Sequence, residues 1–328
     1  MRHRVPRVEM QTTLNILETV LLVLAILVAF AVLAAVVVAL LRLLRTKRTA
    51  KKHADSGLEI THLDKQLAER VQEVKRSVLP EKERKKLPKK QDRQYDSTVF
   101  VIDFHPSLRA HEVHTLREEI DIITQLATPR DEVVVRIDSA GGTVNGFGHA
   151  ASQLLRVREA GVPLTICVDE VAASGGYMCA AVADKIIAAP FAYIGSIGVV
   201  AGMPNFVGLM NKVGVRYLEL TAGENKRTLT PFSDPTPQKE AIELERLEAI
   251  HTAFKNLIKQ RRPNLDIDKV ADGNYWLAVD AKELGLVDII ETSDEYLSRQ
   301  AKANRRILKI SCKPEKQGLL EKLLDAIQ

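Results

Sequence analysis

Ser174 has neighbours that would present its hydroxyl at a tight turn. It lies between two alanines and two glycines in the segment 169–181, DEVAASGGYMCAA, with apolar residues on both sides. A serine at a sharp turn into a helix has an exposed Oγ that can attack a carbonyl carbon. The amide of Gly175 would follow at the helix N-terminus, where backbone amides are unpaired and negative charge is stabilised.

A second glycine loop lies upstream and would meet the first at one edge of a sheet. Gly141 and Gly142 belong to the segment 138–143, DSAGGT, which directly follows the apolar run 132–137, EVVVRI. In an α/β sheet, loops at the carboxyl ends of strands form the binding crevice. Glycines there let the backbone approach a bound molecule closely. Two such loops after successive predicted strands indicate a site at that edge.

A serine nucleophile needs a base, and the residues alone leave its identity open. His149 and His251 follow the glycine loop, and each lies in a predicted helix without an obvious acidic partner. We expect His251 to be exposed because its helix is highly charged, which disfavours a Ser–His–Asp arrangement. A lysine serves as base where burial lowers its pKa. Lys226, beside Arg227 in the segment 221–232, TAGENKRTLTPF, is one candidate among many lysines.

The elements that would carry these loops alternate between strands and helices. The predicted strands are 97–104, 132–137, 164–168, 185–188 and 216–220. The predicted helices are 111–126, 145–160, one that begins at Ser174, and 238–262. This alternation predicts βαβ units and a largely parallel sheet, so the expected fold class is α/β.

The segment 179–203 is apolar enough on average to suggest a membrane span, but its residues argue against one. It contains Asp184, Lys185 and Pro190, and charged side chains at the centre of a bilayer are costly. We therefore predict the end of a helix, a strand and a loop in a buried core.

The segment 20–44, which follows a short flank at 1–19, is predicted to be a retained transmembrane anchor. It is almost wholly apolar, with Arg42 as its one charged residue, and a helix needs about 20 such residues to cross a bilayer. A cleaved signal peptide would have a shorter apolar core, and a buried core helix rarely lacks polar residues for so long. Basic residues flank both ends and are denser downstream, which favours a cytoplasmic body and leaves an exported one open.

Residues 45–96 are predicted to form a charged linker that is partly helical. Apolar residues at helical spacing in 60–78 predict an amphipathic helix; they are Leu63, Leu67, Val71 and Val74. The densely basic run 82–93, KERKKLPKKQDR, lies near the anchor, so anionic lipid headgroups of the bilayer are its expected partner. Basic runs also attract nucleic acids, but this one lacks interleaved aromatic residues, which disfavours a nucleic-acid partner.

Length and composition limit which classes of protein this chain can belong to. The chain has 328 residues, a formal net charge of +5 and three cysteines, Cys167, Cys179 and Cys312. The length is ample for a buried core, and the cysteine spacing matches neither a disulfide framework nor a metal site. Nothing in the sequence calls for a metal, a nucleotide or another cofactor.

Five segments together resemble peptidase family S49, the relatives of signal peptide peptidase A, and within it the membrane-anchored SohB branch. In chain order they are DSAGGTVNGFG, VAASGGYMCAAVADKI, YIGSIGVVAGMPN, TAGENKRTLTPF and WLAVDAKELGLVDII. The resemblance covers roughly 98–295, so we assign a peptidase domain to 97–295 and a C-terminal tail to 296–328. It implies a ClpP/crotonase-type fold and a serine–lysine peptidase.

The resemblance also implies roles for individual residues. Ser174 matches the nucleophile, Lys226 the general base, and Ser196 the hydroxyl that orients the lysine. The lysine would take the proton of Ser174, the serine would attack a peptide carbonyl, and water would then release the acyl-enzyme. Family members build the site where neighbouring protomers meet, so Ser174 and Lys226 are expected to meet in a homo-oligomer.

The oxyanion hole implied by the resemblance uses the amides of Gly175 and Gly142, with Gly141 as the alternative to Gly142. Two residues depart from the family pattern. Asn225 stands before the lysine where tyrosine is common, which affects the packing around the lysine. Ala140 stands in the glycine loop where proline is common, so the loop loses a fixed φ.

An anchored peptidase of this kind would meet the peptides that a bilayer holds. The expected substrates are therefore apolar signal peptides or membrane-protein fragments, bound as extended chains, and the expected location is the bacterial inner membrane. One alternative, a crotonase-like thioester enzyme, would leave Ser174 and Lys226 without a role. Another, a catalytically silent membrane scaffold, is favoured by Asn225 but not by the presence of Ser174, Ser196 and Lys226 together.

Overall fold

The computed structural model describes residues 57–84, 94–223 and 225–313. The predicted anchor at 20–44 and most of the basic run at 82–93 lie outside these ranges. Within them, no helix combines the length and the apolar character that a membrane crossing requires.

Nine strands and ten helices form in the described ranges. The strands are β1 (Leu58–His62), β2 (Ser97–Phe104), β3 (Glu132–Ser139), β4 (Leu164–Ala173), β5 (Lys185–Ala188), β6 (Tyr193–Gly195), β7 (Tyr275–Leu277), β8 (Ile289–Ile290) and β9 (Arg305–Cys312). The helices are α1 (Leu63–Val78), α2 (Glu81–Arg84), α3 (Val113–Leu126), α4 (Val144–Glu159), α5 (Gly175–Ala181), α6 (Val207–Lys212), α7 (Pro237–Arg261), α8 (Ile267–Val270), α9 (Ala278–Glu283) and α10 (Ser293–Lys302).

All of these strands belong to one sheet. Its main path runs β1–β9–β2–β3–β4–β5–β8, and β6 pairs with both β4 and β7. The β1–β9 and β6–β7 pairs are antiparallel, and the other pairs are parallel. The predicted α/β class with a largely parallel sheet is therefore confirmed.

Apolar residues on both faces of the central strands hold the sheet between two helical layers. In β2, Phe100 and Ile102 belong to a core cluster that includes residues of α3, α4 and α5. Val99 and Val101 alternate with them and belong to a second cluster that includes residues of α10. Because successive strand residues point to opposite faces, an unbroken apolar run requires cover on both sides, as in parallel sheets.

The predicted strand at 216–220 is wrong. No strand forms there, and its apolar side chains lie on the surface, with Leu218 80% and Leu220 86% exposed. A strand needs a neighbour for its backbone hydrogen bonds, and no described strand pairs with this segment. Two of its five residues, Arg216 and Glu219, are charged, so the segment lacks the continuous apolar run of the buried strands.

The predicted amphipathic helix at 60–78 is confirmed in part. The helix begins only at Leu63, because Ile60 and its neighbours pair with β9, Ile60 opposite Ile310. The prediction for 179–203 is confirmed as to elements, since this segment contains the end of α5, then β5, β6 and a loop.

Candidate active site

Ser174 lies at the junction between β4 and α5 and has an unusual backbone conformation. It is the N-cap residue of α5, with φ +51° and ψ −120°. Residues other than glycine rarely adopt a positive φ, and the strain that this stores is concentrated at functional sites. The carbonyl of Ser174 accepts from the amide of Met178 at 2.9 Å, which begins the helix. The sharp strand-to-helix turn predicted from the sequence is therefore present.

The glycine loop after β3 packs directly against this turn. A Cβ atom at Gly141, whose φ is +96°, would lie 2.8 Å from the Cβ of Ser174 and 2.8 Å from the amide nitrogen of Gly175. A Cβ at Gly175 would lie 2.4 Å from Cγ of Phe147. A side chain at either position would displace the turn that carries Ser174. Both positions therefore need glycine, because neighbouring atoms approach the backbone too closely for a Cβ.

Hydrogen bonding distinguishes between the two candidate oxyanion donors in the glycine loop. The amide of Gly141 donates to Oγ of Ser139 at 3.1 Å. The amide of Gly142 has no acceptor among the described residues. Gly175 supplies the first amide of α5, which a helix leaves unpaired. The geometry favours Gly142 and Gly175 as the donor pair.

Ser196 lies at a second turn beside the first. β6 pairs with β4, which places Gly195 opposite Ala173. Ser196 follows with φ +52°, and its amide donates to the carbonyl of Asn274 at 2.6 Å. Both serines therefore stand at the carboxyl ends of paired strands, in turns with the same sign of φ.

A cavity of about 450 Å³ opens beside these turns. Its polar side chains are Ser174, Ser196, His251 and Asp272. Its apolar walls include Val144, Phe147, Met178, Ile250 and Phe254. Of the six residues predicted for the site, four border this space, namely Ser174, Ser196, Gly142 and Gly175. Gly141 lies behind the turn, and Lys226 lies elsewhere.

Lys226 is exposed and does not line the cavity. Its amide donates to the carbonyl of Gly223 at 3.1 Å in a short turn. Arg246 of α7 holds this turn, because its guanidinium donates to the carbonyl of Asn225 at 3.1 Å and to Oγ1 of Thr228 at 3.1 Å. Within one chain, the predicted base is therefore anchored to α7 and separate from the nucleophile.

The expectation that His251 is exposed is wrong. It is half-buried and lines the cavity together with Ser174. It shares a face of α7 with Phe254 and Ile258, which are both buried, because residues three and four apart along a helix are neighbours. That spacing was a usable signal in the sequence, but the high charge of the helix obscured it. His251 is a cavity residue that sequence reasoning placed on the surface.

Asp272 shapes the loop that holds Ser196. Its Oδ1 accepts from the amide of Asn274 at 3.0 Å, and its Oδ2 accepts from Nδ2 of the same residue at 2.6 Å. The carboxylate is therefore engaged within its own loop, and in the described part of the chain no hydrogen bond joins it to His251.

Among the described residues, no group of three or more His, Cys, Asp or Glu side chains is placed to hold a metal ion. The three cysteines are free and buried. Burial raises the pKa of the Cys312 thiol to about 11, and burial also raises the pKa of Cys167 and Cys179. Protonated thiols are poor nucleophiles and poor ligands.

Together, the fold and the site define an α/β protein that presents a serine at a strained strand-to-helix turn, beside two backbone amides. Two family models match the chain. Peptidase family S49 matches residues 156–306, and Peptidase family S49 N-terminal matches residues 15–154. The chain belongs to peptidase family S49.

The chain is also similar to several named proteins. The Probable protease SohB of Haemophilus influenzae is 46% identical over 218 residues, which are 66% of this chain and 62% of that protein. The Probable protease SohB of Buchnera aphidicola subsp. Schlechtendalia chinensis is 46% identical over 204 residues, 62% of this chain and 67% of that protein. The Putative signal peptide peptidase SppA of Enterococcus faecium is 28% identical over 193 residues, 56% of each chain. The chain spans about three fifths of the length of most of the SohB relatives it matches.

Proposed function

We propose that this protein is a serine peptidase in which Ser174 attacks the carbonyl carbon of a peptide bond. The observation that carries the proposal is the cavity in which the strained Ser174 meets Gly142 and Gly175. Membership of peptidase family S49 and similarity to proteins named as proteases support the same activity.

The proposed reaction is acyl transfer with Lys226 as general base. Nζ of Lys226 takes the proton of the Ser174 hydroxyl as the bond from Oγ to the carbonyl carbon forms. The amides of Gly142 and Gly175 stabilise the resulting oxyanion. The carbon–nitrogen bond then breaks, and the proton passes to the leaving amine. Water, deprotonated by the same lysine, hydrolyses the ester and restores the serine. Ser196 orients the lysine by a hydrogen bond.

A second copy of the chain is the proposed source of the lysine. The segment that precedes Lys226 exposes many apolar side chains, among them Val200, Leu209, Val213, Leu218 and Leu220. A segment with this many exposed apolar side chains is a candidate contact surface. If this surface packs on a neighbouring protomer beside its cavity, Lys226 is desolvated, which favours the neutral amine that a base requires. The proposed enzyme is therefore a homo-oligomer with shared sites.

The proposed substrates are apolar peptides, such as signal peptides or fragments of membrane proteins. The walls of the cavity include the apolar side chains of Val144, Met178 and Phe254, which would accept apolar side chains of a peptide. We further propose the ClpP/crotonase type as the finer fold assignment. The segment 20–44 would act as a single-pass anchor in the bacterial inner membrane, with the basic run at 82–93 near anionic headgroups.

The test uses the full-length protein in detergent micelles and a fluorogenic leucine-rich peptide. Ser174→Ala should abolish turnover. The matched control is Ser152→Ala, because Ser152 is an exposed serine of α4 that does not border the cavity. We expect the control to keep wild-type activity. Turnover that survives Ser174→Ala, or a folded wild-type oligomer that cleaves no peptide, would refute the proposal.

A further inference from the structure

His251 lies on the inner face of α7 and borders the cavity that holds Ser174. Ile250 and Phe254 flank it on the same helix and border the same space. α7 is fixed at its N-terminus by Thr236, whose Oγ1 accepts from the amide of Lys239 at 3.3 Å, and by a proline in the first turn. The histidine therefore lies in the interior of a long, capped helix.

The Nε2 atom of His251 is buried, and it has no hydrogen-bond partner among the described residues. Buried polar side-chain atoms in proteins are nearly always hydrogen-bonded, so an orphan of this kind requires an explanation. His251 also borders the cavity, so a molecule bound there is a candidate for the missing partner.

We propose that His251 is a positioning residue that hydrogen-bonds through Nε2 to the backbone of the bound peptide. The proposal rests on the proposed peptidase function and adds a substrate contact to it. The backbone is the inferred partner because the walls around His251, such as Ile250 and Phe254, are apolar. They accept apolar side chains, and the polar groups that every peptide then brings are its amide and carbonyl.

The geometry does not favour His251 as the general base. Its Nε2 makes no hydrogen bond to the hydroxyl of Ser174. A histidine base also needs an acid that orients the ring. Asp272, the acid that borders the cavity, directs both carboxylate oxygens to Asn274. His251 is thus placed to hold a substrate, without the partners that would make it a proton relay.

Three replacements of His251 separate hydrogen bonding from shape. In His251→Gln the terminal amide reaches the position of Nε2, whereas in His251→Asn it reaches only that of Nδ1. His251→Phe keeps the ring and loses the hydrogen bond. The matched control is His149→Phe, since His149 is exposed on α4 and does not border the cavity. All variants are made in the full-length protein in detergent micelles.

We expect His251→Phe and His251→Asn to raise KM for the leucine-rich peptide about five- to tenfold, the contribution of one hydrogen bond. Their kcat should stay within about threefold of wild type. His251→Gln should restore KM to near the wild-type value, and His149→Phe should have no effect. A merely structural histidine would not be rescued by glutamine.

The affinity for a peptide, measured in variants that lack the nucleophile, gives a second test. Each His251 change is combined with Ser174→Ala, and the dissociation constant of a fluorescein-labelled leucine-rich peptide is measured by anisotropy. We expect the same five- to tenfold loss of affinity and the same rescue by glutamine. Unchanged affinity in His251→Phe would overturn the positioning role while leaving the peptidase proposal intact.

Three further outcomes are also decisive. If kcat falls at least a hundredfold in all three His251 variants with KM unchanged, His251 is the base and the positioning role is wrong. If Ser174→Ala keeps full turnover, the peptidase proposal fails, and the anisotropy measurement still tests the contact of His251 with a peptide. A peptide that binds no variant would refute both proposals.

Discussion

The backbone amide of Ser174 donates to the carbonyl of Gly195 at 2.8 Å, so the turn of the candidate nucleophile is bonded to the residue that precedes Ser196. Both serines have a positive φ, +51° and +52°. Two turns of unfavourable conformation thus support each other across paired strands. This arrangement fixes the backbone that carries both serines before any substrate binds, which is one part of the preorganisation that catalysis requires.

Replacement of Ser174 can separate its chemistry from its backbone strain. Ser174→Ala should lower activity by more than about 10³-fold, because the nucleophile is lost. Ser174→Gly should be equally inactive but more stable than the alanine variant by about 1 kcal/mol, since glycine adopts a positive φ without strain. Urea unfolding followed by circular dichroism measures the difference. Equal stability of the two variants would contradict the interpretation of strain.

If each active site is shared between two protomers, two inactive variants should restore activity when they are combined in one oligomer. Ser174→Ala keeps the lysine and Lys226→Ala keeps the serine, so an oligomer that contains both has some complete sites. Random mixing should return about a quarter of wild-type activity, because each complete site needs an intact serine and an intact neighbour. The variants are co-expressed with different tags, purified through both tags and assayed. Mixed oligomers with no activity would show that the serine and the lysine act within one chain.

Arg246 is predicted to hold the candidate base in place. Its guanidinium bonds to Asn225 and Thr228 on either side of Lys226, so Arg246→Ala should lower kcat about tenfold or more through misplacement of the lysine. Lys259→Ala, an exposed change on the same helix, is the control and should leave kcat unchanged. Peptide turnover and the melting temperature are measured together. A loss of kcat explained by unfolding alone would argue against a positioning role.

Glu119 is predicted to make stability depend on pH. It is buried on α3, and its Oε1 accepts from the amide of Cys312 at 2.9 Å. Burial raises its pKa from 4.5 to about 7, and the nearby charges of Asp103 and Glu118 act in the same direction. The folded state then binds the proton more tightly than the unfolded state. The free energy of unfolding should therefore fall as the pH rises from about 4.5 to about 7, and level off above that range.

Glu119→Gln tests this prediction, because the amide stays neutral and keeps an acceptor for the Cys312 amide. The variant should be more stable than wild type at pH 8, by up to about 3 kcal/mol, and similar to it at pH 4.5. Glu118→Gln, an exposed neighbour on the same helix, should change little. Urea unfolding at the two pH values provides the comparison. A glutamine variant that is less stable than wild type at pH 8 would show that the carboxylate form is favoured.

Elements that are buried on both faces could be predicted from the sequence, because their apolar runs are local. The run at 97–104 became β2, and the runs at 132–137 and 164–168 became β3 and β4 with extended ends. The segment 216–220 contains Arg216 and Glu219 and has no partner strand. Its prediction as a strand failed because a segment forms a strand only where neighbours exist to pair with it.

The parts of the candidate site that depend on local sequence could also be predicted. The two glycine loops and the turn at Ser174 are local features, and their position at one sheet edge follows from strands that run parallel. His251 is 77 residues beyond Ser174 in the chain. Its place in the cavity depends on how α7 packs on the sheet, which helical spacing indicates only once the buried face is known.

The sequence by itself determined the α/β class, the parallel central strands, the two glycine loops and the turn that carries Ser174. Each of these depends on residues that are close together in the chain. The tertiary structure decided that β9 lies between β1 and β2, that His251 borders the cavity, and that Lys226 lies outside it within one chain. These depend on packing between distant segments, where one sequence pattern is compatible with several partners and the most complete burial selects among them.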